Sequence, residues 1–134
     1  RGRNYGWGVV SKGLQNGITK RSQAGMEEPL TYYTPALGPS AVAFYTGNRF
    51  PAWKNTSLFV AGMAGHRLLR LQVANNTIAS EEVIFGQFGR VRDIVQGHDG
   101  YLYVALQNPT GAGTGLSLSA STPGRVIRLV PSSN

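Results

Sequence analysis

Arg90 and Arg92 stand one residue apart in the stretch Gly86–Tyr103, GQFGRVRDIVQGHDGYLY. If that segment is extended, side chains two positions apart share a face, and the two guanidiniums form a two-pronged cationic patch. Such a pair suits an anionic ligand, because each planar fork can make bidentate, charge-assisted hydrogen bonds to a carboxylate. The plainer use is that one arginine pairs with Asp93 or another nearby acid. In an extended segment Asp93 points to the opposite face and can anchor it, and Ile94 and Val95 lead on into Gly97-His98-Asp99-Gly100. That tetrapeptide is a turn signal, with glycine where a positive φ is cheap, so a hairpin into Tyr101-Leu102-Tyr103-Val104 is predicted.

The elements that must carry this patch follow from composition and pattern. The chain has 134 residues, enough for one domain, and 41% apolar content is enough to build a core. Eighteen glycines and seven prolines are interleaved with short β-branched and aromatic runs, which predicts an all-β chain of short strands and turns. There are no cysteines, so disulfides and cysteine metal sites are excluded, while either redox compartment stays open. No stretch reaches the roughly 18 apolar residues of a membrane span. The chain opens without a signal peptide or an initiating Met, consistent with a start inside a longer precursor. The net charge of +7 favours anionic partners, but the bases are scattered singly and no run of three occurs. Nucleic acid is therefore not the expected partner.

Along the chain, Asn4–Val10 reads as an aromatic-rich strand entered by a glycine turn, and Lys12–Glu28 as a long polar loop. In Pro29–Ser40 three prolines and a glycine exclude helix and continuous ladder pairing, which leaves an ordered connector carrying aromatics. Four short strands follow at intervals of about ten residues, the last of them Ile78–Phe85 after an Asn75-Asn76 turn. Three more are read at Val91–Val95, Tyr101–Gln107 and Arg125–Val130, with a Gly/Ser/Thr loop over Asn108–Gly124. Arg67-Leu68-Leu69-Arg70-Leu71 and Arg125-Val126-Ile127-Arg128-Leu129 share one register, which hints at a repeat of about sixty residues. The predicted organisation is a strand plus connector over 1–40, one blade-like sheet over 41–85 and a second over 86–134, the long loop at 108–124 lying in the second.

A family resemblance rests on several of these motifs in order: Asn4-Tyr5-Gly6-Trp7, Gly38-Pro39-Ser40, Ala43–Trp53, Leu58-Phe59-Val60, Arg67–Leu71, Gly89-Arg90-Val91-Arg92-Asp93 and Asp99–Tyr103. Together they resemble the C-terminal part of the glucose/sorbosone dehydrogenase family, the pyrroloquinoline-quinone-dependent aldose sugar dehydrogenases. The resemblance implies a six-bladed β-propeller of four-stranded antiparallel blades, about two of them in this chain. It also implies a tricarboxylate quinone cofactor (PQQ) held by Arg90 and Arg92, an aldose substrate, calcium as a possible ion of the parent, and a periplasmic or secreted location.

By the same resemblance the Pro29–Ser40 connector lies beside cofactor and substrate, with Thr34 and Ala36 as cofactor contacts and Tyr32 and Tyr33 as substrate contacts. Some relatives place a cofactor-binding lysine in the loop that here reads Met63-Ala64-Gly65-His66, so Ala64 and His66 are the candidates at that position. No metal ligand is assigned, since the acidic residue that would accompany the Tyr5 segment is missing and hard cations need several oxygens. No catalytic residue is assigned either. The family's general-base histidine lies upstream of the Asn-Tyr-Gly-Trp motif, and His98 replaces a family proline in a turn. The expected function is that of a cofactor-binding segment of a quinone-dependent aldose dehydrogenase. Its alternative is a non-catalytic propeller that binds a protein or glycan. Exposed sheet edges predict self-association or pairing with the missing N-terminal part.

Overall fold

The computed structural model of the chain describes residues 2–12, 17–86, 88–107 and 124–132. It divides into two compact units, Arg1–Ala36 and Leu37–Asn134.

The first unit carries no strand or helix among its described residues. The strand expected over Asn4–Val10 is instead a turn. Asn4 accepts the Gly6 amide on its side-chain oxygen at 2.8 Å, and the Gly6 carbonyl accepts the amides of Val9 and Val10 at 2.9 Å. Gly6 and Gly8 take φ of +75° and +81°, left-handed values that a ladder strand does not use. Local side-chain capping therefore outcompetes the β-propensity of the aromatics.

Among its described residues the second unit holds seven strands: β1 (Pro39–Phe44), β2 (Ser57–Gly62), β3 (Arg67–Ala74), β4 (Thr77–Phe85), β5 (Arg90–Gln96), β6 (Leu102–Gln107) and β7 (Arg125–Leu129). They form two antiparallel sheets, ordered β1-β2-β3-β4 and β5-β6-β7. Residues 108–123, and with them nearly all of the expected Gly/Ser/Thr loop, lie outside the described residues. β3 and β4 are joined by Asn75 and Asn76 at φ of +50° and +58°, the pair of left-handed residues that a two-residue hairpin of the right twist requires. β6 alternates, with Leu102, Val104 and Leu106 buried, whereas β2 (SLFVAG), second in the four-stranded sheet, is apolar from Leu58 to Gly62 and buried at every position but the half-buried Leu58.

Phe59, Ala61, Leu68 and Phe85 of the first sheet meet Val91, Ile94, Leu102, Val104 and Leu106 of the second in one core. Tyr45, fully buried, extends that core past the end of β1 with edge-on contacts to Phe50 and Trp53, at 5.6 and 6.5 Å between ring centroids. β1 lies along β5, and polar ties at both ends fix this pairing. At one end the Ser40 hydroxyl donates to the Val91 carbonyl at 2.8 Å. At the other, the Tyr45 hydroxyl donates to the Gly100 carbonyl at 2.8 Å, and the amides of Thr46 and Gly47 donate to Gln96 Oε1 at 2.8 and 3.0 Å. No helix among the described residues is long and apolar enough to cross a membrane.

Candidate cofactor site

The Ser40 end of the second unit collects the β2–β3 turn, the entry to β1 and the start of β5. Gly38 is the reason that the turn can sit so close. Its φ is +59°, and a Cβ there would lie 2.9 Å from the Ala64 Cβ and 3.0 Å from the Ala64 nitrogen. The approach is closed by two backbone bonds of 2.9 Å, Met63 N–H to the Gly38 carbonyl and Gly65 N–H to the Leu37 carbonyl. Leu37, 2% exposed, fills the space that side chains on Gly62 and Gly65 would need. Ala64 is thereby fixed by its backbone, and its methyl faces Gly38.

His66 closes the same turn at φ +52° and is 8% exposed. Its Nε2 has no hydrogen-bond partner among the described residues, and the neighbouring Arg67 Nε is buried and likewise unsatisfied. Burial, and after it the Arg90 guanidinium, hold the His66 pKa below the ordinary 6.5, so the ring is neutral near pH 7.

The two arginines reach this turn by a route that alternation did not predict. In the β5–β6 ladder Val91 faces Leu106 and Asp93 faces Ala105, so Arg92 is an extra, unpaired residue, a β-bulge. The bulge explains why the inward residues Val91 and Ile94 are three apart rather than two or four. Arg90, half-buried and paired with Gln107, acts electrostatically on His66. Arg92 is exposed and directs Nη1 to the Met63 sulfur at 2.8 Å. Both arginines thus address the Met63–His66 turn, although period-two geometry no longer holds between them. Asp93 accepts its neighbour's amide, from Ile94 at 2.8 Å. None of the ion pairs among the described residues involves Arg92. A second bulge, at Ser40 in β1, lies at the same end, and its hydroxyl binds the carbonyl just before Arg92. Ser40 and Met63 thus hold the strand and the side chain of Arg92, contacts that the sequence alone did not single out; the signal for Ser40 was its place in Gly38-Pro39-Ser40.

Tyr32, Tyr33, Thr34 and Ala36 belong to the first unit. There Tyr33 is half-buried and the other three are exposed. Tyr5, Lys12, Arg21, Met26, Glu28 and Tyr32 are among the residues lining a cavity of about 260 Å³ in this unit. His98 is exposed on the β5–β6 turn, at the end of β5 opposite Arg90. Beside it the Tyr103 hydroxyl, at 2.7 Å, is the main cause of a lowered Asp99 pKa. No cluster of three or more metal-ligating side chains occurs among the described residues.

This arrangement of arginines, bulge and turn coincides with a family match over residues 1–117, to glucose / sorbosone dehydrogenase. The chain belongs to that family. An aldose sugar dehydrogenase of Escherichia coli is 30% identical over 118 residues, 83% of this chain and 32% of the relative. A crystal structure of a glucose dehydrogenase superposes with a TM-score of 0.76 at 32% identity, covering 98% of this chain and 36% of that one. The PQQ-bound aldose sugar dehydrogenase of Streptomyces coelicolor shares the fold at 22% identity, with a TM-score of 0.65 over 95% of this chain and 33% of that one. These neighbours are β-propellers, and the two sheets here correspond to propeller blades. The chain spans about a third of the length of the curated relatives it matches, 28% and 32% of the two.

Proposed function

We propose that this chain is the cofactor-holding segment of a quinone-dependent aldose sugar dehydrogenase. The observation that carries the reading is the convergence of Arg90, Arg92 and His66 on one turn, with the buried His66 Nε2 left unsatisfied. The donor set fits a tricarboxylate quinone. Arg92 rests on a neutral thioether, so its charge is oriented without being cancelled, and a buried ring nitrogen awaits a hydrogen-bonding atom. When bound, PQQ would accept the hydride of sugar oxidation, which carries both electrons of that step. The residues of this chain bind and polarise it: Arg90 and Arg92 grip oxygen atoms, and the Ala64 turn and His66 bound the site. The assignment of Thr34 and Ala36 to the cofactor and of Tyr32 and Tyr33 to the aldose rests on the family resemblance alone. No general base is assigned to these 134 residues, so the chain alone is expected to bind the quinone without turning over sugar.

The reading extends to the parent's periplasmic or secreted location, to calcium as an accessory ion, and to association of the chain. Association is supported by the outer faces of the two sheets, where Val42, Phe44 and Val83 on one side and Val95 and Val126 on the other are exposed. The direct test is a titration with PQQ and calcium, followed by the absorbance of bound quinone. The unsubstituted chain is expected to bind, and Arg92→Ala to weaken binding about 10–100-fold, the effect of losing a charge-assisted hydrogen bond or two. Equal binding by Arg92→Ala, or no binding at all, would refute the reading and favour the non-catalytic propeller.

A further inference from the structure

His66 is a buried polar residue with cationic neighbours. Its backbone is in the left-handed region, which histidine enters uncommonly, and the residue is 8% exposed, with Nε2 buried and unsatisfied among the described residues. The charged groups around it are cationic. Arg90 reaches it from β5, Arg67 follows it at the head of β3, and Arg92 is held to Met63 of the same turn. No carboxylate pairs with His66 among the described residues. A lysine in this turn would hold a permanent charge against the ligand, whereas an imidazole held in this way has one available on demand.

Building on the cofactor reading above, we infer that His66 binds an anionic oxygen of the ligand through Nε2 and takes up a proton as it does so, which couples quinone affinity to pH. Without ligand, burial and Arg90 keep the ring neutral. A ligand carboxylate brings negative charge to the ring, offsets Arg90 and favours the imidazolium. The sign follows from linkage. Affinity is flat above the liganded pKa, rises by at most about tenfold per pH unit as the pH falls, and levels off below the unliganded pKa.

The test uses the 134-residue chain and PQQ, with Kd measured from about pH 8 down to about pH 5.5, which spans the ordinary titration of histidine. His66→Asn is the informative variant, since asparagine tolerates the left-handed backbone that His66 occupies. The unsubstituted chain is expected to gain about five- to tenfold in affinity over that range, the difference between a neutral and a charge-assisted hydrogen bond. His66→Asn is expected to lose the gain, and His66→Lys to bind more tightly at pH 8 with a flat profile. A second readout needs no substitution: the proton NMR titration midpoint of His66 moves up when PQQ is added. A profile in the unsubstituted chain that parallels His66→Asn, or an unmoved His66 midpoint, overturns the inference. If binding is flat with pH yet collapses in Arg92→Ala, only the role of His66 falls. If PQQ binds at no pH, the cofactor reading falls, and this inference with it.

Discussion

Tyr45→Phe isolates one oxygen atom that joins the two sheets. The Tyr45 hydroxyl donates to the Gly100 carbonyl at 2.8 Å and accepts the amides of Arg49 at 2.9 Å and Phe50 at 3.1 Å. Its ring is fully buried among Phe50 and Trp53, and phenylalanine keeps those contacts. What is lost is three hydrogen bonds, each contributing about 0.5–1.5 kcal/mol net. Arg49 lies at the surface, where water replaces part of the loss, but Phe50 is 8% exposed and its amide is left without a partner. The expected loss is about 2–3 kcal/mol, with a fall in Tm on the order of 10 °C. Urea unfolding followed by tryptophan fluorescence reads it, with an unchanged m-value showing that the same surface is exposed in both proteins. A loss below about 0.5 kcal/mol would show that the hydroxyl network does not hold the sheets together, and the account of this end of the fold would be wrong.

Ser40→Ala, which removes the 2.8 Å bond to the Val91 carbonyl, is expected to destabilise by about 1 kcal/mol and also to weaken PQQ binding, because the bulge at Arg92 loses its tether; thermal melts and quinone titration separate the two effects. Gly38→Ala places a Cβ 2.9 Å from that of Ala64 at a φ of +59°, so a loss above about 1 kcal/mol in chemical denaturation is expected, against the usual small effect of glycine to alanine. The Asp99 pKa is depressed, so its contribution to stability is present above the ordinary 3.8 and disappears as the pH falls through the lower folded value; Asp99→Asn should flatten the stability profile in that acid range alone. His66 is also depressed, so stability without ligand should decline as the pH falls through 6.5 and level off below the folded value, a decline that His66→Asn removes. Light scattering at high micromolar concentration should show association, and a well-behaved monomer would mean that the exposed valines and Phe44 are tolerated in water.

The strands from Pro39 onward and their order were legible in the sequence because they depend on local signals: short β-branched runs, Asn75-Asn76, Gly97–Gly100 and the alternation of Leu102, Val104 and Leu106. Arg90 and Arg92 stood out in the sequence as the candidate pair for an anion, since two arginines one residue apart in a strand-forming segment are conspicuous by type alone. What failed locally was Asn4–Val10, where the Asn4 side chain and two left-handed glycines overrode the preference of Tyr5 and Trp7 for a strand. The tertiary structure alone decided how Arg92 is aimed, for a bulge is a mismatch between two strands and is absent from either strand's own pattern. It also decided that Gly38 must be glycine, that Ser40 ties β1 to β5, and that His66 is buried with an unsatisfied nitrogen. Each of these is a relation between segments brought together by the packing of one sheet on the other, and the spacing of residues along one chain carries no record of it.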